Sequence, residues 1–324
     1  MTRRWGIMGT GGIAVALTEA IRAEGDEVVA VSSASADRAT AFAAEHDIAR
    51  SYGAHHDLTA DGDVEVVYIA TTNERHHLDV AACIEAGLPA LVEKPFALDL
   101  PRTRSLLADA REAGVFIMEA MWMKLQPGFL DLQQRIAADE IGTPRLVMAD
   151  FGFPANADTS RRWYDLAQGG GALLDIGIYP LTLIVAVLGP PTEIRAVGEL
   201  ASTGVDEQVA VAMRHDSGVS TWTCSFVADS GIEATIAGSG GSLRLRGELH
   251  NSPGVTRRRR AEVIDHGEVA DHELGYRHEV REVQRCLDAG AIESTYIPHA
   301  ATMEVMAVLD EVRAQLGVVY PEPD

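Results

Sequence analysis

Trp5-Gly6-Ile7-Met8-Gly9-Thr10-Gly11-Gly12-Ile13-Ala14 decides the fold. Four residues of strand character run straight into Gly-x-Gly-x-x-Ala, and Ile13, Leu17, Ala20 and Ile21 then recur at helical spacing over 13–23. A glycine motif alone is a weak signal. Placed between a strand and a helix, at the head of a βαβ unit, it is the fingerprint of a dinucleotide site. Gly9 makes the tight turn, Gly11 lets a pyrophosphate approach the backbone at the positive end of the helix, and Ala14 lets helix pack closely on strand. Thr10, Gly12 and Ile13 complete the expected cofactor turn.

Outward from this stretch, short apolar runs alternate with helical ones as far as residue 120. Strands are expected at 28–31, 64–70, 90–92 and 115–118, and helices at 38–45, 78–86 and 100–113; Gly87 and Gly114 stop the last two. Such alternation predicts right-handed crossovers and a doubly wound parallel sheet. After about Trp122 the periodicity changes. A strand at 146–153 and a helix at 173–188 precede β runs at 193–200, 208–214, 219–226, 232–237 and 242–246, and helices at 276–289 and 300–316 close the chain. The expected class is α/β, with an N-terminal Rossmann domain (1–122) and an α+β domain (123–324) built on a largely antiparallel open sheet. The run Arg257-Arg258-Arg259-Arg260 reads as a solvated strand edge or loop.

Composition fits two soluble domains: 324 residues, 47% hydrophobic. A formal net charge of −21 argues against nucleic acid and anionic membranes as partners, because phosphate contacts would be opposed by repulsion. No apolar run is read as membrane-spanning, and the N-terminus lacks the pattern of a secretory signal. Cys83, Cys224 and Cys286 are far apart and odd in number, so they form neither a disulfide framework nor a zinc motif. The expected location is the cytosol. No metal is expected either: the paired histidines His55-His56 and His76-His77 point away from each other on a helix.

The end of the second strand selects the cofactor. A site for NAD places Asp or Glu there to bind the ribose hydroxyl. Here the strand ends Val31-Ser32-Ser33-Ala34, while Asp26 and Glu27 stand at its other end. With Ser33 in place of a carboxylate and Arg38 nearby, NADP is preferred over NAD.

Two features carry the chemistry. Of 27 basic residues only Lys94 and Lys124 are lysines, and Lys94 follows the apolar run Ala90-Leu91-Val92 within Glu93-Lys94-Pro95. Arginine does not give up its proton, whereas a lysine can exchange one. The second feature is Gly169-Gly170-Gly171-Ala172-Leu173-Leu174-Asp175-Ile176-Gly177-Ile178-Tyr179, a flexible turn before a helix on which Asp175 and Tyr179, four apart, share a face. A carboxylate beside a phenol suits proton handling; a helix cap and core filler are the plainer alternatives. Trp122, Phe153, Trp163 and Tyr164 read equally well as an apolar, sugar-stacking wall or as core.

In these motifs the chain resembles the glucose–fructose oxidoreductase, inositol dehydrogenase and rhizopine-catabolism (Gfo/Idh/MocA) family. The segment Asn73-Glu74-Arg75-His76 matches the Asn-x-x-His of that family, and Met118-Glu119-Ala120-Met121-Trp122, Tyr179 and the ending Glu304-Val305-Met306-Ala307-Val308-Leu309-Asp310 resemble its branch of dimeric dihydrodiol dehydrogenases and NADP-dependent D-xylose 1-dehydrogenases. The resemblance implies a dehydrogenase of sugar or cyclic diol carbinols. Lys94 would then lie beside the nicotinamide with Asp175 and Tyr179 completing the polar cluster, Thr71, Asn73, His76 and Glu93 would touch the cofactor, and Trp122 and Phe153 the substrate. Sugar and inositol dehydrogenases often carry His where this chain has Tyr179, so two bases stay open. Lys94 takes the alcohol proton, or it lowers the phenol pKa from its ordinary value of about 10 so that Tyr179 does. The competing readings are an NAD-dependent sugar or inositol dehydrogenase, a ketoreductase, and a catalytically silent NADP-binding regulator. A homodimer through the C-terminal sheet is also expected, because Val209-Ala210-Val211-Ala212-Met213 is apolar on both alternating sets and a second copy would cover the face a helix leaves.

Overall fold

The structure, a computed structural model, describes residues 2–155, 161–260, 262–267 and 275–321. The chain divides into two compact units: Met1–Met121 with Tyr276–Thr302, and Trp122–Gly275 with Met303–Asp324.

The first unit alternates as expected: β1 (Arg4–Met8), α1 (Gly12–Ala23), β2 (Glu27–Ser32), α2 (Ala36–Glu45), β3 (Arg50–Tyr52), α3 (His55–Thr59), β4 (Val66–Ile69), α4 (His76–Glu85), β5 (Ala90–Val92), α5 (Leu100–Ala113) and β6 (Ile117–Glu119). The six strands are parallel in the order β3-β2-β1-β4-β5-β6. Val66 to Ile69 and Ala90 to Val92 are entirely buried, so these strands read as unbroken apolar runs because the sheet is covered on both faces. The sequence reading missed β3 and α3. Arg50-Ser51-Tyr52 has no apolar run and is fixed instead by polar contacts, Arg50 Nε to Asp61 at 2.6 Å and Tyr52 OH to Asp61 at 3.0 Å. The buried strand at 64–70 is therefore the fourth, and β6 lies two residues later than expected, bringing Glu119 into the sheet. There the Glu119 carboxylate accepts from Phe96 N (3.1 Å) and the Thr302 hydroxyl (2.9 Å).

The second unit contains α6 (Pro127–Ala137), β7 (Pro144–Gly152), α7 (Ile178–Leu188), β8 (Glu193–Leu200), β9 (Asp206–Arg214), β10 (Val219–Ser225), β11 (Ala234–Gly238), β12 (Gly241–Leu245), β13 (Val255–Arg259) and β14 (Glu262–Asp265). Its sheet runs β14-β13-β12-β11-β7-β10-β9-β8. Only the central β7–β10 pair is parallel among these neighbours. Val147, Ala149, Val209, Val211, Met213, Trp222, Ile236 and Leu243 turn to one face and are buried; α7 packs there on β7 and β10, and α6 on β12 and β13. The opposite face carries Ala210, Ala212, Thr221 and Thr223, with Met148, Val197 and Val219 exposed. Three elements were not foreseen: α6, headed by the turn-like pair Pro127-Gly128, and the polar strands β13 and β14. Arg257 to Arg259 lie in β13, one strand in from the edge, where Arg257 donates to Glu140 O at 2.5 Å. The stretch Leu166–Leu188 is also long and apolar enough to cross a membrane, contrary to the sequence reading, but 83% of its most apolar window is buried inside the chain.

The expected division at 122 stands one residue from the observed crossing, but 123–324 is not a single unit. The segment Tyr276–Thr302 belongs to the first because α8 (Arg277–Asp288) packs on α1. Val280, Val283 and Cys286 are buried there, and Arg277 and Arg281 clasp Glu24, beyond the end of α1, at 2.5 and 2.7 Å. The last helix, α9 (His299–Leu316), carries the chain onward.

Candidate active site

In the first unit the functional residues gather at the carboxyl ends of the parallel strands. Gly9 has φ +112°, and a Cβ there would stand 2.3 Å from Ala70 O, just beyond the adjacent strand β4, so only glycine fits. A Cβ on Gly11 would meet nothing within 4 Å. Helix α1 begins here without a side-chain cap and without an acidic residue in its first turn. An open, uncapped helix N-terminus at the point where strand order reverses fits a pyrophosphate.

At the end of β2, Ser33 is buried and receives Arg38 Nε at 3.4 Å. Ser35 caps α2 by accepting from Arg38 N at 3.4 Å. Arg38 itself is exposed. The nearest acidic residue beyond the strand is Asp37, in the first turn of α2.

The loops after β4 and β5 are tied together. Thr71 donates to Asp79 at 2.7 Å, Arg75 pairs with Asp79 at 3.0 Å, and Asn73 is buried. His76 is fully buried, its Nδ1 2.8 Å from Pro95 O and its Nε2 3.2 Å from Thr71 O. His76 thus lies between the two loops, with a backbone carbonyl oxygen near each ring nitrogen. Glu93 is likewise held from inside: its Oε1 accepts from Tyr68 OH at 2.5 Å and its Oε2 from Lys94 N at 3.2 Å. Lys94 thus follows β5 at the ligand-binding end of the sheet, on a backbone anchored by its neighbour. Sequence reasoning missed Glu279 of α8, because its segment was assigned to the other domain. Burial, with the charge of Glu93 adding, pushes its carboxyl well above the usual range, and burial raises the Tyr68 phenol in the same way. Among the described residues, no group of three or more His, Cys, Asp or Glu is placed to hold a metal ion.

In the second unit the triple glycine makes the turn expected of it. Gly169 and Gly171 have φ +72° and +126°, and a Cβ on Gly170 would lie 2.7 Å from Trp163 O. The helix then opens with a wide π-turn, Leu173–Gly177, before α7; the sequence reading had an α-helix throughout. Such turns recur at functional sites. Gly177 lets the turn lie flat on β10, since a Cβ there would stand 2.8 Å from Cys224 Sγ. Asp175, partly exposed, lies 3.8 Å from Arg162.

Tyr179 is buried, and its phenol oxygen accepts from Trp122 Nε1 at 3.0 Å. Indole is donor only, so this bond stabilises negative charge on the phenol oxygen. Aromatic rings surround the pair. Phe151 and His250 each lie 5.6 Å from the Tyr179 ring, His250 stacks on Phe151 at 4.7 Å, and Trp122 meets His250 edge-on at 5.4 Å. Phe153 continues the wall from Phe151 to Phe226 at 6.3 and 6.0 Å. Trp122 and Tyr179 are therefore in direct contact, and Phe153 joins them only through Phe151. Tyr164 is a core residue against Phe226, and Trp163 carries Arg161 over its ring at 5.8 Å. His250, in the turn Leu249–Asn251, was missed; a lone histidine in a loop gives no signal in sequence.

Residues 3–121 match the model of the oxidoreductase family with an NAD-binding Rossmann fold, and residues 129–244 match the GFO/IDH/MocA C-terminal domain. The chain belongs to the Gfo/Idh/MocA oxidoreductase family. Among curated members it is 34% identical to trans-1,2-dihydrobenzene-1,2-diol dehydrogenase of Bos taurus and 33% identical to that of Homo sapiens, each over 99% of both chains. Solved structures share the fold. A 3-ketoreductase variant from Actinomadura kijaniata in complex with TDP-benzene and NADP superposes with a TM-score of 0.87 at 24% identity, over 98% of each chain. An aldose-aldose oxidoreductase from Caulobacter crescentus complexed with glycerol gives 0.82 at 18% identity over 97% of each. As a Gfo/Idh/MocA protein the chain is an NAD(P)-dependent oxidoreductase, and its relatives act on CH–OH groups.

Proposed function

We propose that this protein is an NADP-preferring dehydrogenase of small cyclic diols or sugars, moving a hydride between a carbinol carbon and the nicotinamide. The observation that carries the reading is the phenol of Tyr179, held as acceptor of the Trp122 indole N–H at 3.0 Å within an aromatic wall. That wall suits a flat, largely apolar ring bearing hydroxyls, and it agrees with the dihydrodiol named in the relatives. When bound, the cofactor supplies the hydride acceptor. The turn Gly9-Thr10-Gly11-Gly12-Ile13 holds its pyrophosphate, and Thr71 and Asn73 line its path. Ser33 and Arg38, joined at 3.4 Å at the end of β2, would receive the 2′-phosphate of NADP. The alcohol proton goes to Lys94 or to Tyr179, the two bases that the resemblance leaves open.

A homodimer belongs to the same reading. The face of the second sheet that bears Met148, Val197, Ala210, Ala212, Thr221 and Thr223 has a centre of small residues flanked by charged ones such as Asp150, Arg195 and Glu199. It holds shallow hollows of ≈ 410 and ≈ 210 Å³. A second copy related by a two-fold axis covers such a face.

The test is an absorbance screen for reduced nicotinamide, with each oxidised cofactor against trans-dihydrodiols, aldoses and inositols. Reduction of NADP by a diol or an aldose is expected. Binding of cofactor with no turnover on any member would favour the silent regulator.

A further inference from the structure

Asp206 opens β9 with none of its surface exposed. Its Oδ2 accepts from Leu173 N at 2.6 Å, the first residue of the wide turn. Its Oδ1 lies 2.4 Å from where a Cβ on Gly171 would stand. From the other end of the chain, Tyr320 donates its hydroxyl to Gly170 O at 2.7 Å. The Arg313 guanidinium of α9 lies over the Tyr320 ring at 4.9 Å and pairs with Asp310 at 2.6 Å. Two segments far apart in sequence therefore grip Gly170, Gly171 and Leu173, just ahead of Asp175 and Tyr179.

A carboxylate at a helix N-terminus satisfies orphan N–H groups and favours the helix dipole. An ordinary cap does this from the residue before the helix, on the surface and at little cost. Here it comes from another strand and is fully buried. Desolvation pushes its carboxyl up to about 7 against the backbone bonds that lower it. Burying a carboxyl group is expensive, so this cap serves something a surface cap would not. A turn that begins with three glycines has many conformations available, and the groups that follow it must be fixed closely to be useful.

We propose that Asp206 and Tyr320 are positioning residues that clamp the triple-glycine turn and fix the register of the helix carrying Asp175 and Tyr179. Only the turnover part of the test rests on the dehydrogenase reading. The experiment is hydrogen exchange by mass spectrometry on the full chain, with turnover and cofactor titration in parallel, for Asp206→Ala, Asp206→Asn and Tyr320→Phe. Asp206→Ala should speed exchange in peptides covering 169–179 by at least ~10-fold, the scale of one lost buried hydrogen bond, while peptides of β7 and β10 stay unchanged. Its kcat should fall by a similar factor with the cofactor Kd unaltered. Asp206→Asn keeps an acceptor for Leu173 N and should restore most of both. Acceleration spread evenly over the unit, or no change at 169–179, overturns the proposal. Should Asp206→Ala fail to fold, Tyr320→Phe, which removes one hydroxyl, still decides: local acceleration supports the clamp and unchanged exchange rejects it. If the wild-type protein shows no turnover, the exchange result stands on its own and the functional reading alone is lost.

Discussion

Lys94 is one of two lysines among 27 basic residues, and its backbone N–H is held by the Glu93 carboxylate, itself fixed by Tyr68. Lys94→Arg keeps the charge and removes the exchangeable proton, so turnover should fall at least ~100-fold, the scale of a general acid–base group. Isothermal titration should show unaltered cofactor binding; near-normal turnover would remove Lys94 from the chemistry. Arg38 tests the cofactor assignment. Arg38→Ala should weaken NADP by about 10-fold and leave NAD unaffected, as one charge-assisted contact implies; an equal loss for both would count against a 2′-phosphate partner. Candidates such as these stand out in sequence because their signals are local: a glycine fingerprint at fixed spacing, a lysine after a buried strand, a carboxylate four residues before a phenol. His250, Asp206 and Glu279 do not. Each acquires its role from partners far away in sequence, Phe151, Leu173 and Glu93 respectively, and nothing beside it in the chain marks it.

Elements were readable where an apolar period was long. The other strands of the first sheet and β8 to β12 declare themselves by buried runs or alternation, whereas β3, β13 and β14 are short and polar and exist through pairing to neighbours already in place. The wide turn before α7 was also invisible, since Leu173 to Leu188 is apolar enough to propagate as an ordinary helix. Helix α8 supplies a prediction at this scale. Burial raises the Glu279 pKa in the folded chain, so the folded state retains a proton that the unfolded chain releases. That contribution is fully present below the ordinary carboxylate pKa of about 4.3 and is lost as pH rises toward the raised folded value. Glu279→Gln keeps the shape without titrating. Its Tm should exceed that of the wild type by about 2–4 °C at alkaline pH, the shift expected of ~1 kcal/mol in a unit of this size, and should match it only below a pH of about 4.3. An equal loss of Tm at both pH values would show that Glu279 is ionised and needed as a charge.

For the whole molecule, the change of periodicity near residue 122 located the first crossing between units, but no local pattern could show that Tyr276–Thr302 returns to the first. That return rests on the packing of α8 on α1, with Arg277 and Arg281 on Glu24 beside it, a contact across some 250 residues. The bare face of the second sheet predicts association: light scattering at micromolar concentration should give about twice the chain mass of 34.7 kDa, and the mass of one chain would reject the dimer. Val197→Glu, placing a charge on that exposed face, should shift the species toward monomer. The central claim is direct hydride transfer from a carbinol carbon, and isotope transfer tests it most directly. The protein is incubated with oxidised NADP and trans-1,2-dihydrobenzene-1,2-diol deuterated at both carbinol carbons, and the reduced cofactor is read by mass spectrometry. Deuterium in the reduced nicotinamide, from this diol or from an aldose deuterated at its carbinol carbon, is the predicted result; reduced cofactor without deuterium, or none formed with either, would contradict the account.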